Sequence, residues 1–370
     1  MDDLSPVFPD AARRRALRRR LRAWYDAHAR DLPWRRTKDP YAIWLSEIML
    51  QQTQVATVKP YFERFLHRLP TIAALAQADE HEVLRLWEGL GYYRRARQLH
   101  RAAQIIVAEQ GGQFPRDPAA VRRLPGVGRY TAGAVLSFAF DAREPILEVN
   151  TLRVLCRLLA YGGAPHDGEG QRFLWAAAEI LLPQRGAGRF NQALMELGSE
   201  VCTPRAPRCA DCPVAVLCRA NQEGRQQEIP RPKRKPVRQA VREAAVVVRH
   251  RGRVLLLRWP EGRRWAGLWD FPRFPLAGAS SNALDRELAE NVRTLTGVTV
   301  LPGRHITTLT HGVTRFRITL DCYEAKVISG GKKTAAPLET RWLRPAELGD
   351  YPLSSTGRKL ANLIRENARR

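Results

Sequence analysis

The chain has 370 residues and a formal net charge of +24, with 61 Lys and Arg against 37 Asp and Glu. That length can supply two domains with their own cores, and a surface this basic calls for a polyanionic partner, nucleic acid before an acidic membrane. No uncharged apolar run approaches the roughly 20 residues of a membrane span, and no export signal with an apolar stretch is visible. The reading is a cytoplasmic protein, nucleoid-associated if bacterial.

Taken in order, "ARRRALRRRLRAW" places Leu17, Leu21 and Trp24 at helical spacing. This predicts a first helix with a solvated arginine face rather than a transit peptide. Residues 10 to about 200 read as successive helices broken by Gly and Pro, with no convincing strand. In "IWLSEIMLQQTQ" Glu47 shares a helical stripe with Ile43 and Leu50. If buried, desolvation raises its pKa and lets it hold a proton near neutrality; the alternative is a solvated glutamate at the stripe's edge.

"LPGVGRYTAGAV" is a glycine-rich turn between two short helices. Gly126, Val127 and Gly128 would bring backbone amides and a helix N-terminus against a DNA phosphate; a plain tight turn is the bland alternative. In "EPILEVNTLRV" Asn150 is expected to cap a helix starting at Thr151. Glu148, just outside that terminus, is expected to stay ionised in the field of the helix dipole. Two carboxylates with pKa values pushed apart are the acid and anion used to break glycosidic bonds.

Cys202, Cys209, Cys212 and Cys218 crowd into one loop, while Cys156 and Cys322 lie on apolar faces as core residues. Four thiolates on one compact loop suit an iron–sulfur cluster, with zinc and free or disulfide cysteines as the other possibilities. A basic stretch at 220–240, without apolar periodicity, reads as a linker. Beyond it, "AAVVVRHRGRVLLLRW" predicts two strands around a turn at Arg251-Gly252. "TRFRITLDCYEAKV" predicts a half-buried strand, and a helix follows from about Ser355.

With these segments in order, the chain closely resembles the adenine DNA glycosylases of the MutY type, in the endonuclease III superfamily. "LPWRRTKDPYAIWLSEIMLQQTQVATV", "WEGLGYYRRARQLHRAA", "LPGVGRYTAGAVLSFAF", "FNQALMELGSEVCTP", "GLWDFP" and the cysteine spacing carry the likeness. It implies an all-α helix–hairpin–helix glycosylase domain (1–219) that includes a [4Fe-4S] loop (202–218). A linker (220–240) and an α+β Nudix-like lesion-recognition domain (241–370) follow. The implied partner is double-stranded DNA bearing adenine opposite 8-oxoguanine or guanine, bound by a monomer.

The resemblance assigns Glu47 as the acid that protonates adenine and Glu148, with Asn150, as the stabiliser of the sugar cation. Arg35 and Gln192 fall at positions beside the adenine, and Gln52, Thr53, Leu90 and Tyr92 at positions that enter the duplex. Tyr130 stands where the lyase branch keeps a lysine, implying a monofunctional enzyme. Three departures mark this chain. The family's D-G-N is Glu148-Val149-Asn150, and its Phe-Ser-His turn is Val313-Thr314-Arg315, leaving Thr314 and Arg315 as lesion contacts. "RELAENVRTLTG" lacks the glutamates that would hold magnesium. Other readings are a glycosylase of the same superfamily with a shifted substrate, or a retired iron–sulfur protein that senses lesions.

Overall fold

The computed structural model describes residues 10–231, 239–277, 281–313, 315–328 and 338–368. It divides into two compact units, one within residues 1–77 and 98–234, the other within 78–97 and 235–370.

Among its described residues, the regular secondary structure of the first unit is all helical. Helix α1 (Ala11–His28) is capped by Asp10, whose carboxylate accepts from the Ala12 amide at 2.7 Å. It buries Leu17, Leu21 and Tyr25, so Tyr25 rather than Trp24 completes its inward stripe. After a short 3₁₀ turn (Pro33–Arg35), α2 (Pro40–Leu50) starts with Asp39 accepting from the Tyr41 and Ala42 amides and with Pro40 at its first position. Residues Tyr41 to Met49 are all buried, so α2 is a core helix with no solvated face. Helices α3 (Val55–Arg68) and α4 (Ile72–Gln77) follow; α5 (Glu80–Trp87) belongs to the second unit; α6 is Arg94–Gln110.

The hairpin lies between α7 (Pro118–Arg123) and α8 (Arg129–Phe140), and α9 (Val149–Leu158), α10 (Gly168–Leu181), α11 (Ala187–Glu200) and α12 (Arg219–Gln222) complete the unit. Helices α2 and α11 pack on α8, and α11 also on α9. That last approach is close because Gly198 on α11 faces Asn150: a Cβ there would come within 2.7 Å of the Asn150 Cβ. The core joins α1, α9, α10 and α11, and the partly buried Cys202, Cys212 and Cys218 pack against it. Ile229, in the stretch read as linker, is also buried there, and its carbonyl accepts from Arg157 at 2.8 Å.

The second unit is a mixed seven-stranded sheet with the path β3-β2-β1-β6-β5. The strands are β1 (Gln239–His250), β2 (Arg253–Arg258), β3 (Trp269–Asp270), β4 (Arg273–Pro275), β5 (Val300–Val313), β6 (Phe316–Val327) and β7 (Thr340–Leu343). Strands β1 and β6 are parallel, with Val247 opposite Glu324. Arg251 and Gly252, both at positive φ, turn the first hairpin where expected. Ala244, Val246 and Val248 face one apolar layer with α13 (Ser281–Thr296); Ala245 and Val247 face another with α14 (Ser355–Asn367). Burial on both faces explains why β1 reads as one continuous apolar run. Cys156 and Cys322 are core residues, as expected.

Candidate active site

A cavity of about 450 Å³ opens in the helical unit, and Glu47, Tyr130, Glu148, Asn150, Gln192, Arg35, Gln52 and Thr53 all line it. Residues expected from distant parts of the sequence therefore meet at one place. Its size is that of an ordinary small-molecule pocket.

Glu47 comes from the buried helix α2 and is 4% exposed. Its Oε2 accepts from the Tyr130 hydroxyl at 2.6 Å. Burial pushes its pKa up to about 7; the Tyr130 hydroxyl and Arg35 pull it down, and the nearby Glu148 pushes it further up. The carboxyl can thus be protonated near neutral pH.

Glu148 sits otherwise than the sequence suggested. Helix α9 begins at Val149, and its N-cap is Glu148, not Asn150. The Glu148 oxygens accept from the Asn150 and Thr151 amides, both at 2.8 Å, while Thr151 Oγ1 accepts from the Glu148 amide. A glutamate has the reach to fold back over its own amides, and Thr151 completes the reciprocal box. Asn150 is left inside the first turn, where its Oδ1 accepts from Arg153 at 2.8 Å. Burial raises the Glu148 pKa, and the amide bonds hold it back. Both carboxyls are therefore raised, whereas the sequence predicted an ionising effect at Glu148 alone; burial accounts for the difference.

Sequence reasoning missed a third carboxylate. Glu196, fully buried on α11, accepts from Arg30 Nε at 2.8 Å and Arg35 Nη2 at 2.8 Å. Burial opposes its charge, yet the bonds from Arg30 and Arg35 outweigh burial and hold its pKa at about 2. It lies one helical turn after Gln192, and that spacing was the available signal. Gln192 Oε1 accepts from the Tyr25 hydroxyl at 2.9 Å, another partner not anticipated.

These elements match a family model described as HhH-GPD superfamily base excision DNA repair protein over residues 45–179, and a NUDIX domain over 243–363. The chain is 35% identical to the adenine DNA glycosylase of Rattus norvegicus over 416 residues, covering 98% of this chain and 80% of the relative. It is 35% identical to that of Homo sapiens over 412 residues, covering 96% and 75%. The chain belongs to the adenine DNA glycosylase family.

A shorter match, 45% identical over 205 residues, joins it to the family's Mycolicibacterium smegmatis protein, covering 55% of this chain and 69% of that one. Among solved structures it is similar to a thermostable thymine-DNA glycosylase, with a TM-score of 0.53 and 30% identity over 60% of this chain and all of that one.

The remaining expected residues divide by unit. In the hairpin, Gly126 holds a φ of +79°, the left-handed region, and the Val127 amide closes on the Leu124 carbonyl at 3.1 Å. Gly128 caps α8 with no side chain, so the first amides of α8 carry no side-chain cap. Gln52, also at positive φ, and Thr53 follow the end of α2 at the cavity wall. Leu90, buried, and Tyr92, 48% exposed with a φ of 47°, belong to the second unit. Arg315 lies in the turn between β5 and β6; Thr314 lies outside the described residues.

Cys202, Cys209, Cys212 and Cys218 are free thiols, and Cys209, Cys212 and Cys218 each lie within electrostatic reach of Cys202. Arg157 donates to the Cys202 sulfur at 3.3 Å, and the Cys218 thiol donates to the Arg157 carbonyl. Among the described residues no three His, Cys, Asp or Glu side chains close on one point as a single ion requires. Neither is any described helix long and apolar enough to cross a membrane.

Proposed function

We propose that this chain is a monofunctional DNA glycosylase that hydrolyses the N-glycosidic bond of adenine mispaired with 8-oxoguanine or guanine in duplex DNA. The observation that carries this reading is that Glu47 and Glu148 line one cavity, the first buried beside a hydroxyl and the second fixed by two backbone amides.

In this reading the adenine leaves the base stack for the cavity, at the cost of its pairing and stacking. Glu47 in its acid form gives its proton to the base, so adenine departs neutral with the bond's electron pair. The sugar is left as an oxocarbenium ion. Glu148 supplies the opposing charge, held in place by the Asn150 and Thr151 amides; a water oxygen then bonds to C1′ and its proton passes to the emptied Glu47 carboxylate. The valine at 149 does not prevent this, because Glu148 bends back to its own helix end rather than depending on glycine backbone angles. Tyr130, where the lyase branch keeps its lysine, lines the cavity, and no lysine is among the described lining residues, so in this reading no Schiff base forms with the sugar. Arg35 and Gln192 contact the base edge, and Gln52, Thr53, Leu90 and Tyr92 the surrounding duplex.

Four free thiols on one loop, packed on the core beside Arg157, fit a [4Fe-4S] cluster, which takes one thiolate at each corner. Cys202, Cys209, Cys212 and Cys218 would hold it, and it would supply a fixed, electron-rich anchor for the loop.

The test is single-turnover release of labelled adenine from duplexes carrying A opposite 8-oxoguanine, G or T. Release from the first two, lost in Glu47→Gln and Glu148→Gln and retained in part by Glu148→Asp, is expected. Unchanged release in Glu47→Gln would overturn the assignment.

A further inference from the structure

In the second unit, three arginines and two aromatic rings form an alternating stack. The Arg273 guanidinium lies 3.9 Å from the centroid of the Trp265 ring. On the same ring, Arg264 lies at 5.2 Å, and it also lies 5.0 Å from the centroid of Phe316. Arg315 is 5.1 Å from Phe316. The order is Arg273, Trp265, Arg264, Phe316, Arg315, from a residue 3% exposed to one on the surface.

The inner end is anchored. Glu243 accepts from Arg273 Nε at 2.5 Å and from Arg264 Nη1 at 2.9 Å. Thr356 accepts from Arg273 Nη1 at 2.9 Å, and Arg273 Nη2 meets His311 Nε2 at 3.3 Å. Two of the three guanidiniums, Arg273 and Arg264, thus share Glu243, so positive charge remains at the outer end. Each ring already holds two cations, which leaves a nucleobase little face to stack on. What the outer end offers is guanidinium edge, whose paired N–H donors match two phosphate oxygens.

We propose that Arg264 and Arg315 grip the phosphodiester backbone of duplex DNA, with Phe316 and Trp265 holding both guanidiniums in the gripping orientation. This makes Arg315 a backbone contact and not a reader of the base. It rests on duplex DNA being the partner. Stacking removes much of the side-chain freedom that an arginine otherwise loses on binding, so the rings contribute affinity without touching DNA.

The experiment measures binding of the full chain to a fluorescent mispaired duplex by anisotropy across a salt series. Arg315→Ala is expected to reduce the slope of log K against log salt by about 1. Phe316→Ala keeps both charges, so the slope should hold while affinity falls several-fold at every salt. Phe316→Leu keeps the apolar bulk without the ring, should behave like Phe316→Ala, and decides the matter if the alanine form melts early. Arg317→Ala removes an exposed cation outside the stack and should change affinity less than Arg315→Ala does. The proposal is overturned if the ring variants bind like the parent, or if Arg317→Ala matches Arg315→Ala. A slope left intact in Arg315→Ala, with only the preference for 8-oxoguanine erased, would also overturn it and return Arg315 to base reading. A parent that binds no duplex at any salt would instead sink the DNA reading itself.

Discussion

Replacing Tyr130 by Phe removes the one hydroxyl bonded to Glu47 at 2.6 Å while keeping the ring that fills the cavity wall. That bond favours the carboxylate, so its loss should raise the Glu47 pKa above its present value of about 7. A hydrogen bond to a charged group contributes about 1.5–3 kcal/mol, and about 1.4 kcal/mol corresponds to one pH unit. The rise is therefore about one to two pH units. In the proposed mechanism the acid form of Glu47 is the active one, so the rate falls as pH rises through its pKa. At pH 8 the parent should keep roughly a tenth of its plateau rate, and the Phe form roughly half or more of its own. The assay is kcat/KM for adenine release between pH 5 and pH 9, normalised to each protein's plateau. The proposal also needs Glu148 ionised, so an acid limb is expected as well, and the two apparent values belong to the pair. An alkaline limb that stays in place in the Phe form would refute Glu47 as the titrating acid.

Glu196→Gln should move the same limb towards lower pH. It frees Arg35, which already favours the Glu47 carboxylate, and it should lower stability by taking the carboxylate from partly buried Arg35, while Arg30 keeps Glu200. In the parent, that pair's stability is present above the usual carboxylate range and should be lost as pH falls towards 2, readable as a urea midpoint that drops in acid. Glu47→Gln should raise stability at pH 8 by roughly 2–3 kcal/mol and change it little at pH 4. A carboxyl whose folded pKa is raised loses stability as pH rises through that value, whereas Gln has no proton to lose; equal urea midpoints at both pH values would contradict the burial argument. Gly128→Ala should fold like the parent, since the added Cβ meets nothing within 4 Å, but bind duplex DNA about tenfold more weakly by keeping phosphate from the α8 amides. Parent-like anisotropy in that variant would remove the hairpin from the DNA interface. Cys212→Ser should lose bound iron and its visible absorbance, whereas Cys322→Ser, changed in the core of the other unit, should keep both.

Legibility in the sequence followed the range of the interactions. Glu47 was readable because a charged residue in "IWLSEIML" has apolar neighbours on every side, and α2 proved buried all round. The strands of the second unit were readable because β1 and β6 carry their burial in local pattern. The cap of α9 was misread because Asn and Asp dominate caps statistically, while glutamate needs Thr151 three residues on to complete the box. Glu196 was invisible because a glutamate in a helix is usually solvated; only folding brings Arg30 and Arg35 from more than 150 residues away. Nor could chain order show that residues 78–97 would join the C-terminal unit, where Arg358 donates to Glu88 and Tyr93 to the Leu353 carbonyl.

Three glutamates on one cavity show how partners, not residue type, assign chemical roles. Glu47 has a neutral hydroxyl for a partner, which offsets burial only in part and leaves the pKa at about 7. Glu148 has two amides at a helix end, which can hold a charge but bring none of their own. Glu196 has two guanidiniums and stays an anion down to about pH 2. The third supports the first: it engages Arg35, whose charge otherwise favours the Glu47 carboxylate. In the proposed mechanism Glu196 thus supports the acid although it need never exchange a proton: it holds Arg35 Nη2, while the Arg30 carbonyl takes Arg35 Nη1 and Glu200 takes Arg30 Nη1.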